Sequence, residues 1–136
     1  MNDQLQMTSS RPYLMRALND WIIDNEMTPY IVVDATYKDV QVPLQYVEGG
    51  KIVLNLSPTA VRDLLIDNRH VLFSARFGGV SMDVIVPIQA VLAIYTKENG
   101  QGMVFNGGLD EFNNSITNQS KQLSKKVVKP NLTLVK

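Results

Sequence analysis

The chain has 136 residues, of which 45% are hydrophobic, and this suffices to build the core of one domain. It contains no cysteine, which excludes disulfides, thiolate metal sites and a cysteine nucleophile. The formal net charge is zero, but residues 1–106 carry 8 basic and 11 acidic side chains whereas residues 107–136 carry 5 and 2, so the body offers no basic groove for nucleic acid.

A helix is predicted from Arg11 to about residue 26. Serine precedes it as a cap, Pro12 suits its first turn, and Pro29 disfavours helical angles in the residue before it. Its apolar side chains cover an arc of roughly 160°, which is wider than the stripe of ~100° that covers one sheet. Two explanations stay open: deep burial within the monomer, or packing on both the sheet and a second copy of the chain. The residues of this arc are Leu14, Met15, Ala17, Leu18, Trp21 and Ile22.

Six short strands are predicted after the helix, without the alternation of strands and helices that builds a parallel sheet. They lie at residues 30–37, 42–46, 52–56, 71–77, 80–86 and 91–95. Residues 48–51 form the turn of a hairpin between the second and third strands, residues 57–60 form one helical turn, and Gly78-Gly79 reverses the chain after the fourth strand. This pattern predicts a mainly β fold, either a small twisted barrel or a pair of sheets.

The C-terminal region divides into a polar tether and an apolar end. Residues 113–126 have too little apolar surface to offset the entropy of ordering, which predicts a flexible segment. The last seven residues contain leucine and valine without any folding reason for them, which indicates docking to another protein. We therefore expect a domain over residues 1–105, a flexible linker over 106–126 and a docking segment over 127–136.

The polar residues form no catalytic pattern. His70 is the only histidine and has no evident partner, so an exposed loop residue is favoured over a general base. The carboxylates lack a paired-acid or metal-ligand spacing, and the glycine pairs lack the lysine of a phosphate cradle. The sequence therefore predicts no enzyme, cofactor or metal. A β domain of this kind instead offers grooves and strand edges to an extended peptide.

The chain resembles the SspB (stringent starvation protein B) family nearly continuously from Arg11 to Phe105, and again at its C-terminal end. The matching segments are RPYL at 11–14, TPYIVVDAT at 28–36, VQVP at 40–43, IVLNL at 52–56, ARFGG at 75–79 and AVLAIYTKENG at 90–100. The resemblance implies a partly open, Sm-like or SH3-like barrel of two sheets with an N-terminal helix. It also implies a homodimer formed through that helix, for which the candidate contacts are Leu14, Met15, Leu18 and Ile22.

The resemblance implies an adaptor of the ClpXP protease. Such a protein binds the peptide tag that tmRNA adds to stalled translation products and tethers the tagged polypeptides to the ClpX unfoldase. The tag-binding site carries over to Tyr46 and Ala75, with Gln45, Arg76 and Phe77 beside them. The small side chain of Ala75 leaves room for a ligand, and Arg76 is suited to a ligand carboxylate, although ordinary strand packing also explains these residues.

The family's ClpX-docking pattern, Arg-Pro-x-Leu-Arg-Val-Val-Lys, is matched by KPNLTLVK at residues 129–136. It assigns docking to Pro130, Leu132, Leu134, Val135 and Lys136. Thr133 and Leu134 depart from the pattern, which has arginine and valine there, and the linker is short and rich in lysine, asparagine and serine where many relatives have a long acidic stretch.

The alternative function is an Sm-like RNA-binding regulator, which the basic tail favours and the acidic body opposes. The N-terminus lacks a basic region followed by an apolar run, and no segment is long enough to span a bilayer. We therefore expect a soluble cytoplasmic protein without a membrane or nucleic-acid partner.

Overall fold

The computed structural model describes residues 7–105. The predicted linker and docking segment lie outside these residues, and with them Pro130, Leu132, Leu134, Val135 and Lys136. The described part of the chain forms one N-terminal helix followed by seven short strands. No helix within residues 7–105 is long and apolar enough to cross a membrane.

Helix α1 spans Arg11–Asp24, which confirms the predicted helix and shortens its end by two residues. Asn25 closes the last turn, since its N–H donates to the carbonyls of Trp21 and Ile22, and Glu26 then takes a left-handed backbone conformation with φ of 60°. At the other end, Arg11 is buried and donates from Nη1 to the carbonyl oxygens of Gln89 and Val91 at 3.2 and 3.1 Å. The helix is thereby fixed to the strand that begins at Val91.

The strands form two antiparallel sheets, and together they do not close into a barrel. One sheet has the order β2-β1-β6-β7 and the other the order β3-β4-β5. The strands are β1 Pro29–Asp34, β2 Lys51–Asn55, β3 Val61–Ile66, β4 His70–Phe77, β5 Val80–Pro87, β6 Val91–Thr96 and β7 Gly102–Val104. The expected mainly β fold, with a partly open arrangement of two sheets, is confirmed.

The core lies between the two sheets and under α1. Alternate residues of β1 and β4 are buried, as the two-residue period of a strand requires, and Ile31 and Val71 are fully enclosed. The helix adds Met15 and Ile22, which are 0% and 2% exposed. Burying each such side chain contributes about 1.5–3 kcal/mol to stability.

The predicted strand at residues 42–46 is wrong. Gln41 makes an isolated bridge to Ile85, and Leu44–Tyr46 then forms a single 3₁₀ turn. Pro43 lacks the N–H that a continued ladder needs, so pairing stops there. The predicted turn does exist, since Gly49 and Gly50 have positive φ, but β2 continues into pairing with β1 rather than with residues 42–46.

Two strands were not predicted. Strand β3 pairs with β4 but contains an irregularity between Arg62 and Leu65, where Asp63 has φ of 57°. Strand β7 has only three residues, and its Gly102 lies so close to β6 that an added Cβ would sit 2.5 Å from the Cα of Tyr95. Strand β7 is the last strand along the described chain and lies at the edge of its sheet, so the chain leaves the described domain at that edge.

Candidate functional site

The core opens to solvent at the tip of the β4–β5 hairpin. Along the inner face of β4, Val71 and Phe73 are buried, whereas Ala75 and Phe77 are only partly buried. The hairpin turn itself is tight because Gly78 and Gly79 both adopt positive φ, as a two-residue turn between twisted strands requires. The last inward-facing residues of β4 are therefore presented at an accessible end of the sheet.

A second element approaches this tip from outside the sheet. The 3₁₀ turn Leu44–Tyr46 is held by N–H donation from Tyr46 to the carbonyl of Pro43 and from Val47 to that of Leu44, both at 3.1 Å. The ring of Tyr46 lies 5.9 Å from that of Phe77, with an interplanar angle of 43°. Its hydroxyl is 3.5 Å from the position that a Cβ on Gly78 would take. The turn and the hairpin thus share one surface.

Strand β5 completes the surface. Met82 lies opposite Ala75 and Val80 lies opposite Phe77, so both side chains share the inner face of β4. Val80 is 68% exposed and Leu44 is 75% exposed, although both are apolar. We call this set of six side chains the hairpin-tip surface: Leu44, Tyr46, Ala75, Phe77, Val80 and Met82. Exposed apolar side chains grouped in this way make the surface a candidate interaction site.

The structure brings three of the five predicted tag-binding residues to this surface, namely Tyr46, Ala75 and Phe77. Gln45 is exposed on the same 3₁₀ turn. Arg76 lies on the opposite face of β4, because it alternates with Ala75 and Phe77, and its Nη1 donates to the carbonyl of Gly79 at 3.1 Å. It therefore stands at the rim of the hairpin rather than on the hairpin-tip surface.

Sequence reasoning missed Leu44, Val80 and Met82. The register of the β4–β5 hairpin would have identified Val80 and Met82, because a two-residue turn at Gly78-Gly79 fixes which residues stand opposite Phe77 and Ala75. Leu44 was assigned to a strand that does not form, so its exposure on a turn was not foreseen.

Two of the described acidic residues, Asp67 and Glu98, accept hydrogen bonds from nearby backbone N–H groups. Asp67 accepts hydrogen bonds from the backbone N–H groups of Arg69 and His70, each at 2.7 Å, and these bonds lower the pKa of its carboxyl. Glu98 accepts from the N–H and hydroxyl of Thr28, which likewise lowers its pKa. No cluster of three or more potential metal-binding side chains occurs within residues 7–105. His70 is the first residue of β4 and is partly buried, not an exposed loop residue as predicted.

The helix separates the four predicted dimer residues into two groups. Met15 and Ile22 are enclosed in the protomer's own core, whereas Leu14 and Leu18 are partly buried and retain accessible surface. Trp21, one turn further along the same stripe, is 46% exposed. Deep burial therefore accounts for part of the wide apolar arc, and the remainder faces solvent in the single chain.

Comparison with known proteins identifies a family and a relative. The family model described as stringent starvation protein B matches residues 9–132. The stringent starvation protein B homolog of Haemophilus influenzae is 51% identical over 102 residues, which cover 75% of this chain and 68% of that protein. The aligned length is comparable to the whole set of described residues.

Proposed function

Because this chain belongs to the stringent starvation protein B family, we propose that it is an adaptor that binds the tmRNA-encoded tag of stalled translation products and delivers them to the ClpX unfoldase of ClpXP. The supporting observation is the hairpin-tip surface, where Tyr46 from a 3₁₀ turn meets Phe77 of β4. Its most exposed side chains, Leu44 and Val80, are apolar.

An extended peptide is the ligand that suits this surface. Apolar side chains of a tag gain by covering Leu44 and Val80, which are the most exposed of the six. Ala75 sits between the larger Phe77 and Phe73 on the inner face of β4 and so leaves a recess for a ligand side chain. Gln45 and Arg76 stand at the edge, where an amide and a guanidinium are suited to the polar and acidic groups of the peptide.

Delivery requires a second contact, which we assign to residues 127–136. A flexible linker of residues 106–126 would have a root-mean-square reach of ~25 Å. A bound tag would then be held near ClpX at an effective concentration on the order of mM. Docking of Pro130, Leu132, Leu134, Val135 and Lys136 thus needs only modest affinity of its own.

We further propose that two copies associate through α1. Leu14, Leu18 and Trp21 lie at a spacing of four and three residues, so they form one stripe on the helix, and Ala17 lies within it. This stripe borders the buried one that contains Met15 and Ile22. A dimer would present two hairpin-tip surfaces and two docking segments, which strengthens attachment to a multimeric unfoldase.

Ala17→Glu is expected to convert the dimer to a monomer, because Ala17 is exposed and a carboxylate placed there would be buried without a partner on association. Sedimentation equilibrium measures the mass. Asp20→Lys is the control, since Asp20 is exposed on the polar side of the helix and its variant should remain dimeric. A monomeric wild-type chain, or a dimeric Ala17→Glu variant with intact stability, would refute this interface.

The proposed function is tested by a bridging experiment. Immobilised peptide that contains only the N-terminal part of the tag, which the adaptor is proposed to bind, is expected to retain ClpX when the full chain is added, because the chain carries both contacts. The matched control uses a peptide of the same composition in scrambled order, which should retain neither protein. If the tag peptide retains the chain but not ClpX, the chain binds the tag but does not deliver it. If the tag peptide retains neither protein, both tag binding and delivery are refuted.

A further inference from the structure

The outer face of the β2-β1-β6-β7 sheet carries a row of apolar side chains that crosses all four strands. Register places Val53 opposite Val32, Val32 opposite Ala93, and Ala93 opposite Val104. We call these four residues the outer row. It faces away from the core, because the alternate residues Ile31 and Ile94 are the enclosed ones. Val53 and Val104, at the two ends of the row, are 50% and 41% exposed, whereas Val32 is partly buried and Ala93 is 9% exposed.

The outer row is bordered by aromatic and basic side chains. Tyr30 and Tyr95, which stand opposite each other on the same face, make an edge contact at 5.7 Å. The Nζ of Lys97 lies 6.0 Å from the centre of the Tyr30 ring. On the other side of the row, Lys51 is exposed at the start of β2. Lys51 stands opposite Asp34 and Lys97 is next to Glu98, so each lysine already has a carboxylate beside it and the band is suited to an apolar segment.

The chain leaves the described domain beside this band. Val104 belongs to the outer row and is the last residue of β7. Phe105 is buried, and its N–H donates to the carbonyl of Leu92 at 2.7 Å. Residue 106 therefore starts from a fixed point at the edge of the sheet.

The residues that follow have the matching chemistry. Residues 107–116 read GGLDEFNNSI, in which Leu109, Phe112 and Ile116 are the large apolar side chains. Asp110 and Glu111 are the only acidic residues after position 106. The two glycines at the start allow the chain to reverse sharply.

The distances permit the contact. The five residues from Val104 to Leu109 span at most about 17 Å. The sheet is crossed in three strand spacings from β7 to β2, which is about 14 Å. A segment that turns back at the glycines can therefore lay Leu109 and Phe112 on the middle and far strands.

We propose that residues 107–116 dock on the outer row of their own chain, with Leu109 and Phe112 against Val32 and Val53. The free tether then comprises residues 117–126, with a reach of ~17 Å. The importance of the shorter tether rests on the proposed adaptor role, whereas the docking contact itself does not. The docking itself places the start of the tether on the sheet that does not carry the hairpin-tip surface.

A spin label tests the proposal in the full chain, which has no cysteine of its own. With a nitroxide on Asn113→Cys, the backbone amide signals of Val32 and Val53 are expected to lose most of their intensity in a ¹⁵N spectrum. A label on Ser124→Cys should leave those signals unchanged. Leu109→Ser combined with Phe112→Ser should restore them in the chain labelled at position 113. Unchanged signals with the label at position 113 would overturn the proposal.

A mixed sample distinguishes the chain's own segment from that of a second copy. Spin-labelled chain without ¹⁵N is mixed with ¹⁵N chain without a label, and the signals of Val32 and Val53 are expected to keep their full intensity. Loss of intensity in the mixture would mean that another copy supplies the segment. Tag affinity measured on the same Leu109→Ser, Phe112→Ser variant should equal that of wild type, so the hairpin-tip proposal is tested separately.

Discussion

Ala75→Gln is expected to weaken binding of the tag peptide by about 5- to 150-fold, which corresponds to about 1–3 kcal/mol. Ala75 lies opposite Met82 on β5 and opposite Val61 on β3, on the inner face where the core opens. The longer side chain would fill the recess that a ligand needs, and adding atoms to a packed contact costs about 1–3 kcal/mol. Fluorescence anisotropy with a labelled tag peptide measures the change.

The matched control is Ser81→Gln, which places the same side chain on the opposite face of the same hairpin. Ser81 is exposed and stands opposite Arg76. Its variant should bind the tag as the wild type does, and thermal unfolding should show that both variants remain folded. If Ala75→Gln is folded and binds with unchanged affinity, the tag is held on another part of the molecule.

The elements with the clearest periodicity were predictable from the sequence. The helix and the strands β4 and β5 have regular apolar spacing and form where they were expected, and β1, predicted over residues 30–37 from a nearly continuous apolar run, forms at Pro29–Asp34. Strand β3 was not foreseen because Asp63 adopts a positive φ and interrupts the alternation between Val61 and Leu65. A pattern of alternating residues does not reveal a residue that takes a positive φ within a strand.

The candidate site was predictable only in part, because it depends on contacts between elements that are distant in sequence. Tyr46 and Ala75 were identified by resemblance, but Tyr46 was placed on a strand, whereas it lies on a 3₁₀ turn. The contact between Tyr46 and Phe77 joins elements that are far apart in sequence. Such a contact depends on how the turn packs against the hairpin, which no local pattern encodes. The position of Arg76, in contrast, was predictable from the local pattern, because strand alternation alone places it on the face of β4 opposite to Ala75 and Phe77.

Deletion of residues 130–136 is expected to abolish delivery of tagged substrate while leaving tag binding intact. The hairpin-tip surface is built from residues 44–82, so removal of the C-terminal end leaves it unchanged. Linked binding sites commonly gain about 10²–10⁴ in overall affinity over either site alone. At low substrate concentration, the rate of ClpXP degradation of a tagged protein should therefore fall by about 100-fold or more, to the rate measured without adaptor.

Two further variants assign this effect to the docking segment rather than to chain length. Scrambling residues 117–126 retains the length of the tether and should leave delivery unchanged. Thr133→Arg combined with Leu134→Val introduces the family's residues at these two positions of the docking pattern and should lower the adaptor concentration that gives half-maximal degradation, because it adds a charge that can pair with an acidic group on the unfoldase. Full delivery by the chain that lacks residues 130–136 would show that ClpX is contacted through the folded domain, and the tether would then have no role in delivery.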